Sequence, residues 1–528
     1  MPIGRLGQLL QLGRGLPAFL REPVTVQDAR AQIRQRMDER PQRFLDLARR
    51  LIFGHARSPY RRLLLWAGCT YADLERGVRD AGIEAMLGNL RDQGVFVTLE
   101  EFKARVPILR PGLRIEAAPG DFDNPFLDGR GVAVATSGSR GVRTRVSYDW
   151  NLMAEHAASE LLLNHIHSVD RAPLALWLPT PPSVAGIHHL LLNLKARRPP
   201  ERWFSQVGVS ADSLLARTRL GLEFVLLTCR LLGHRVPRPE SAGPADAGRV
   251  ADWMVAARTK HGRCLLRTYT SAAVRVARAA RERGLDLEGC LILTGGEPLT
   301  SRRRDAIEAS GAAVFPRYSA TEAGLIGAAC DRRQSSDDMH LHMDRLAVVP
   351  LRRVTSPDSP PVDAFLFTSL TPHMGKVLLN TDIGDFGRLE DRPCTCTFGE
   401  LGMSARLSQV RSHDKLNGEG MSLLGSELDE IIAGLVERAG GGPDDYQFWE
   451  SEDEQGLPRL VVAVSPRVRG LDQSSFLAAV LQGVGAKPQG GGLAARIWRD
   501  SNTLQLVREE PLFTRGQKLL SLTRDPRP

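Results

Sequence analysis

The stretch Val134-Ala-Thr-Ser-Gly-Ser-Arg-Gly-Val-Arg-Thr144 decides the fold. It stands after the apolar run Gly131-Val-Ala-Val-Ala135, whose composition predicts a buried strand. Thr136, Ser137 and Ser139 then stand among Gly138 and Gly141. Glycines at such positions let a turn aim its backbone N–H groups at one point, and the hydroxyls add donors. Arg140, Arg143 and Arg145 add positive charge. A loop of this chemistry suits a phosphate chain. It is neither the Gly-x-x-x-x-Gly-Lys-Ser/Thr loop nor the dinucleotide Gly-x-Gly-x-x-Gly, so its meaning rests on the downstream elements.

Those elements alternate. A helix is predicted over Asp149–Ile166, a strand over Leu174–Leu178, a helix over Ala272–Arg283, a strand over Cys290–Leu293, a helix over Ser301–Ser310 and a strand over Ala312–Phe315. That rhythm predicts an α/β fold with mainly parallel sheets. Two loops stand directly after these strands: Thr294-Gly-Gly-Glu-Pro-Leu299 and Arg317-Tyr-Ser-Ala-Thr-Glu322. Ligands of open α/β sheets bind beyond the carboxyl ends of the strands, so three loops converge on one nucleotide. Glu322 then offers a carboxylate for Mg²⁺ and Tyr318 a flat face for a base. In Leu379-Asn-Thr-Asp-Ile-Gly-Asp-Phe-Gly387, Asp382 and Asp385 offer acceptors for ribose hydroxyls.

Around this core the chain divides in two. Residues 1–409 read as a large N-terminal domain binding ATP and an acid, of which 1–125 are a mainly helical lead-in. There Phe44, Leu45, Ala48, Leu51 and Ile52 recur at helical steps, and Ser58-Pro59-Tyr60 marks a break. Residues 234–248, rich in Pro, Gly and Ala, read as a mobile surface excursion. Residues 410–528 read as a small α+β lid domain, with a helix at Ser426–Arg438, strands at Arg459–Val464 and near Ala495 and Leu504, and a late Gly516-Gln-Lys518.

Composition sets the outer bounds. With 528 residues, 42% hydrophobic and 25% charged, the chain exceeds one hydrophobic core and suits a soluble protein of at least two domains. The net charge of +9 comes from arginines scattered along the chain without a dense basic run, so it reads as a solvated surface and not as a nucleic-acid interface. Seven cysteines make no disulfide framework and suit a reducing, cytoplasmic compartment. The most apolar stretch, Leu214–Leu232, is broken by Arg217, Arg219, Glu223 and Arg230, so no membrane span is expected.

Four loops in this order, and then a small domain with a late Gly-x-Lys, resemble the adenylate-forming superfamily, and most of all its phenylacetate–CoA ligase and coenzyme F390 synthetase branch. The phosphate loop matches at Thr136, Ser137, Gly138, Ser139, Gly141 and Thr144, with Arg140 and Arg143 in place of the usual Thr and Pro. The adenine-bordering Gly-Gly-Glu-Pro-Leu is intact at Gly295, Gly296 and Glu297. Tyr318-Ser319-Ala320-Thr321-Glu322 corresponds to Tyr-Gly-x-Thr/Ser-Glu, with Ser319 replacing a glycine. Asp385 matches the ribose-binding acid, Arg411 the arginine before the hinge, and His413 the hinge position. Lys518 matches the lysine that contacts the carboxylate and α-phosphate.

The resemblance implies an ATP- and Mg²⁺-dependent ligase that turns an aryl, arylacetic or fatty acid into an acyl-adenylate. Lys518, Glu322 and Thr321 would be catalytic, with Glu322 carrying the metal, and the acyl group would then pass to a thiol, coenzyme A first. An adenylating enzyme serving a carrier protein, a protein cysteine or an amine is the alternative; a non-catalytic nucleotide-binding protein of the same fold is the second. The resemblance places the acyl pocket near Tyr269, His188 and Gly295–Glu297. Cys394-Thr-Cys396 lies downstream of Cys330, His340 and His342, but Cys-x-Cys is not the usual zinc spacing and no set of four ligands is fixed by sequence, so a structural zinc is not expected.

Overall fold

In the computed structural model, the described residues are 15–127, 131–135, 145–181, 183–206, 213–353, 361–412, 415–487, 491–512 and 522–523. Residues 15–102 are mainly helical. Three of the helices, Val26–Asp38, Tyr71–Ala81 and Leu99–Phe102, open on reciprocal caps in which Thr25, Thr70 or Thr98 exchanges hydrogen bonds with the acid three residues on. Pro59 sits in the first turn of the helix Pro59–Trp66, where its missing N–H costs nothing. Phe44, Leu45, Ala48, Leu51 and Ile52 are all buried, although Ala48–Phe53 winds as a π-helix.

The centre of the molecule is a twelve-stranded sheet in the order Leu346–Arg353, Val362–Ser369, Thr381–Asp391, Ala405–Ser412, Met339–Leu341, Gly324–Ala328, Ala313–Ala320, Cys290–Gly295, Cys264–Tyr269, Leu174–Trp177, Arg202–Ser205 and Pro239–Ser241. From Ala313–Ala320 to Pro239–Ser241 every pairing is parallel, and the inner strands Leu174–Trp177 and Cys290–Gly295 are nearly continuous buried apolar runs. From Ala313–Ala320 to Leu346–Arg353 every pairing is antiparallel. The strand Ala313–Ala320 is therefore the seam between the two halves.

Several local expectations are corrected. Gly131–Ala135 does not join the large sheet: it pairs antiparallel with Arg145–Asp149 as a separate two-stranded hairpin. The alternation in Arg145-Val-Ser-Tyr-Asp149 is the signal for that second strand, and the helix comes after it at Trp150–Ile166. The phosphate-like stretch Thr136–Thr144 is the connection of this hairpin and lies outside the described residues. The 234–248 segment carries an edge strand, Pro239–Ser241, held by Glu240 accepting two 2.5 Å hydrogen bonds from Arg202. Near Ala495 the chain is a helix, Gly491–Asp500, because Leu493, Ala494, Ile497 and Trp498 fall on one buried helical face.

The C-terminal residues have a core of their own. A four-stranded sheet, Leu504–Val507, Pro458–Val464, Tyr446–Glu452 and Leu522–Thr523, packs with the helices Gly425–Arg438, Gln473–Ala486 and Gly491–Asp500 around Phe448, Val462 and Trp498. Several contacts tie it to the large body, two of them through buried or part-buried carboxylates. The Tyr446–Glu452/Pro458–Val464 hairpin docks through Glu452, which accepts from Arg303 at 3.1 Å and from Thr300 at 2.9 Å. The Lys415–Gly418/Met421–Leu424 hairpin docks through Glu419 and Gly420. Among the described residues, no helix is long and apolar enough to cross a membrane.

The expectation at the cysteines also changes. Cys330, His340, Cys394 and Cys396 present one ligand atom each, all within 4.8 Å of one another, so the chain does assemble a four-donor set there.

Candidate active site

The parallel strands Cys264–Tyr269, Cys290–Gly295 and Ala313–Ala320 end side by side, and a cavity of about 240 Å³ opens at their carboxyl ends. Gly295, Gly296, Ser319, Ala320 and Thr321 line it. Tyr269, His156, His188, His189, Arg267 and Arg317 line it as well. Two of the loops read from sequence therefore meet at one place.

Gly296 is held at φ +77°, and a Cβ there would stand 2.9 Å from the Tyr269 ring, so the position needs glycine on both counts. Gly420 covers the same ring, where a Cβ would come within 2.0 Å. Glu297 does not point at the cavity's contents as a free acid. Its carboxylate accepts from Ser271 N at 2.7 Å, at the start of the helix Thr270–Glu282, and from Gly420 N at 2.6 Å. Next to it Glu419 is ion-paired with Arg275 at 2.5 Å; burial raises its pKa and Arg275 opposes that. The 415–424 hairpin is thus seated against Tyr269 and the helix Thr270–Glu282 by one buried carboxylate from each side.

At the seam, the pairing of Ala313–Ala320 with Gly324–Ala328 slips at Tyr318/Ser319, and the turn beyond it presents Thr321 and Glu322. Glu322 is 4% exposed and its carboxylate accepts from Lys103 Nζ at 2.5 Å. Lys103 comes directly after the short helix Leu99–Phe102 and escaped sequence reasoning, because nothing local links it to a residue so distant in the chain. Tyr318 does not present a free ring edge. Its hydroxyl donates to Asp385 Oδ2 at 2.5 Å, and burial, then Asp385, push its pKa well above the ordinary value. Asp382 is ion-paired with Arg353 and also accepts from Gly384 N at 2.7 Å. Arg411, on the strand beside Asp385, donates to Asp337 at 3.4 Å. His413 and Lys518 lie outside the described residues, as does the loop holding Thr136, Ser137, Gly138, Ser139, Gly141 and Thr144.

The buried wall is the part that sequence reasoning missed. Glu160, on the helix Trp150–Ile166, is ion-paired with both Arg267 and Arg317. Arg267 also donates to Asn164 Oδ1 at 2.8 Å, and Arg317 Nη1 lies 3.2 Å from His189 Nε2. The signal was the single arginine inside the otherwise apolar strand Cys264-Leu-Leu-Arg-Thr-Tyr269. One carboxylate faces two guanidinium groups, so the wall carries a surplus positive charge. Burial brings the pKa of Arg267 down to about 9, against the pull of Glu160. Burial likewise lowers His188 to about 4 and holds His156 and His189 well below the usual value, so these rings are neutral at pH 7. His156 approaches Leu325 N, its Nε2 accepting at 3.4 Å, only because Gly324 has no Cβ to meet the ring. Among the described residues, Nε and Nη1 of Arg267, Nε of Arg317 and Nδ1 of His189 are buried without a hydrogen-bond partner.

No protein-family model and no curated protein matches the chain. Among solved structures the chain is similar to 2-hydroxyisobutyryl-CoA ligase bound to 2-hydroxyisobutyryl-AMP and CoA in its thioesterification state, at 15% identity and a TM-score of 0.53, over 96% of this chain and 91% of that one. A further similar structure is the amide bond synthetase McbA from Marinactinospora thermotolerans, at 16% identity and a TM-score of 0.43, over 84% of this chain and 78% of that one. The first likeness defines the class of fold: a large α/β body and then a small C-terminal unit, as in that adenylate-bound ligase.

Proposed function

We propose that the chain is an ATP-dependent adenylating ligase that activates a short carboxylic acid bearing a hydrogen-bond acceptor at its far end, and then passes the acyl group to a thiol, coenzyme A first. The observation that carries this reading is the single cavity shared by Gly295–Gly296, Ser319–Thr321 and the Arg267/Arg317/His189 wall. It pairs a nucleotide-sized set of loops with a polar pocket for an acid. The fold it shares with a ligase holding an acyl-AMP supports the same reading.

In the first half-reaction an oxygen of the acid's carboxylate would bond to the α-phosphorus of ATP while the bond to pyrophosphate breaks. Thr136–Thr144 would cradle the phosphates, Asp385 would accept from the ribose, and Lys518 would lie between carboxylate and α-phosphate. Glu322 and Thr321 offer hard oxygen donors that fit Mg²⁺, and Lys103 already sets a cation against the Glu322 carboxylate at 2.5 Å. A bound Mg²⁺ would supply neutralisation of phosphate charge there. In the second half-reaction a thiolate would attack the acyl carbon and release AMP.

Division near residue 410, with the smaller unit turning about His413, would let one chain serve both steps. The 415–424 hairpin seated on Tyr269 and Glu297, together with the likeness to a ligase in its thioesterification state, supports reading this arrangement as the thiol-accepting one.

The pocket argues about the acid. Arg267, Arg317 and His189 line the cavity, and each keeps a buried nitrogen without a hydrogen-bond partner among the described residues, so the wall is polar and charged and an all-methylene chain would bring it no acceptor. A hydroxyl, carbonyl or second carboxylate would supply one; a long fatty chain is the poorest fit. The test is acid-dependent ATP–pyrophosphate exchange over hydroxy, oxo, dicarboxylic, plain aryl and fatty acids. Exchange confined to acceptor-bearing acids and lost in Lys518→Ala is expected, whereas exchange unaffected by Lys518→Ala would remove the adenylation reading.

A further inference from the structure

On the antiparallel half of the sheet, away from the cavity, a second cluster has the chemistry of a closed metal centre. We infer that Cys330, His340, Cys394 and Cys396 bind one structural zinc ion through three thiolates and an imidazole nitrogen.

The geometry is close to what a tetrahedral ion requires. Zinc–sulfur bonds of about 2.3 Å at tetrahedral angles place sulfur atoms about 3.8 Å apart, with the nitrogen slightly nearer. Here the Cys330 and Cys394 sulfurs are 3.9 Å apart, and Cys396 Sγ lies 3.2 Å from His340 Nε2. All four ligand atoms fall within 4.8 Å of one another. No disulfide competes for them: all the cysteines are free, and a separation of 3.9 Å is far from a sulfur–sulfur bond.

The surroundings are arranged for a ligand set as well. His340 Nδ1 lies 2.7 Å from Met403 O, a contact that requires the proton on Nδ1 and leaves the Nε2 lone pair facing the sulfurs. Cys330 and His340 are fully buried, Cys396 nearly so and Cys394 half-buried, and four protein donors fill a tetrahedral set, as a structural site requires. Three thiolates on a divalent ion leave one negative charge. Arg406, buried behind Cys330, answers it: its Nη1 donates to Cys330 Sγ at 3.7 Å while its Nε is anchored on Asp338 at 2.8 Å. Binding would release the three thiol protons to solvent, with no change in oxidation state.

The place of the cluster gives it a purpose. Cys330 comes just after the strand Gly324–Ala328, which begins just beyond Glu322; His340 lies on Met339–Leu341; and the two remaining cysteines lie past the end of Thr381–Asp391, the strand bearing Asp385. One ion would therefore clamp the segment that carries Glu322, the neighbour of the cavity-lining Thr321, and the strand that carries Asp382 and Asp385.

The experiment uses the intact chain, expressed in zinc-supplemented medium and purified without a metal-affinity tag. Elemental analysis is expected to give about one zinc per chain, and cobalt exchanged into the protein should show the intense visible bands of a tetrahedral, thiolate-rich site. Cys394→Ser and Cys396→Ser should each lower the zinc content and the melting temperature. Should those variants fail to fold, the wild-type metal content and cobalt spectrum still decide. Substoichiometric zinc with reactive thiols, stoichiometric iron instead of zinc, or a Cys330–Cys394 disulfide found by mass spectrometry would each overturn the assignment.

Discussion

The cavity's wall and the carboxylate cluster just past Thr321 carry charge of opposite sign. On the wall Arg267 and Arg317 share Glu160, leaving one surplus positive charge beside three neutral histidines. In the cluster three carboxylates, Glu322, Asp382 and Asp385, stand with Lys103 and Arg353, so it is weighted towards negative charge. Buried ion pairs are weak devices for stability, since desolvation consumes most of the attraction. They are more useful as a selector: a positive wall suits an acceptor on an acid, and a carboxylate cluster suits a cation.

The contrast breaks most sharply at Glu160. Glu160→Ala would leave two buried guanidinium groups without their carboxylate and should cost about 3–5 kcal/mol, read from urea unfolding. A variant as stable as the wild type would mean that solvent already screens the wall. Glu322→Gln keeps the shape of the carboxylate cluster and removes one of its three charges. Pyrophosphate exchange should fall by about 10²–10³-fold while the unfolding midpoint stays within a few tenths of a molar; equal losses of both would make Glu322 a structural residue.

The wall also predicts a pH response. His188 has its pKa lowered to about 4 by burial and, next, by Arg317. Between that value and about 6.5 the unfolded chain binds the proton and the folded chain does not, so stability is full at neutral pH and falls as the medium is acidified. From pH 7 to pH 5 this one ring should contribute about 2 kcal/mol of loss, and His188→Gln should flatten that part of the curve; an unchanged slope would contradict neutral burial. The smallest effect expected is at the hairpin. Glu297→Gln weakens the tie to Gly420 by about 1 kcal/mol, which hydrogen exchange should register as several-fold faster exchange at residues 415–424. Unaltered protection there would show that Glu419 and Arg275 hold the hairpin alone.

How legible each part was in the sequence depends on how locally its signal is encoded. Gly295-Gly296, Thr321 and Glu322 were readable because each stands in a short run after an apolar strand, and a strand end with such a turn has few alternatives. The buried strands Leu174–Trp177 and Cys290–Gly295 announced themselves as unbroken apolar runs. The second strand of the Gly131–Ala135 hairpin did not, because a five-residue alternation beside a strong helix is easily absorbed into that helix. The partners were illegible for a different reason. Lys103 meets Glu322, Arg267 meets Glu160, and Cys330 meets Cys394 only through tertiary packing, and a lone charged residue or thiol carries no mark of what it will face. Arg267 came nearest to being readable, since a guanidinium in a buried parallel strand demands a carboxylate from somewhere. Glu297 stands next to the cavity-lining Gly296, yet its carboxylate serves Ser271 and Gly420.

The decisive quantity is kcat/KM for acid-dependent ATP–pyrophosphate exchange with a matched pair of short acids that differ only in a distal hydroxyl or carbonyl. The acceptor-bearing acid should be favoured by at least about tenfold, because the plain acid brings the polar wall no acceptor. Arg317→Leu should erase that preference. Equal rates for the two acids, or a preference for the plain one in an otherwise active enzyme, would contradict the polar-pocket reading while leaving adenylation itself intact.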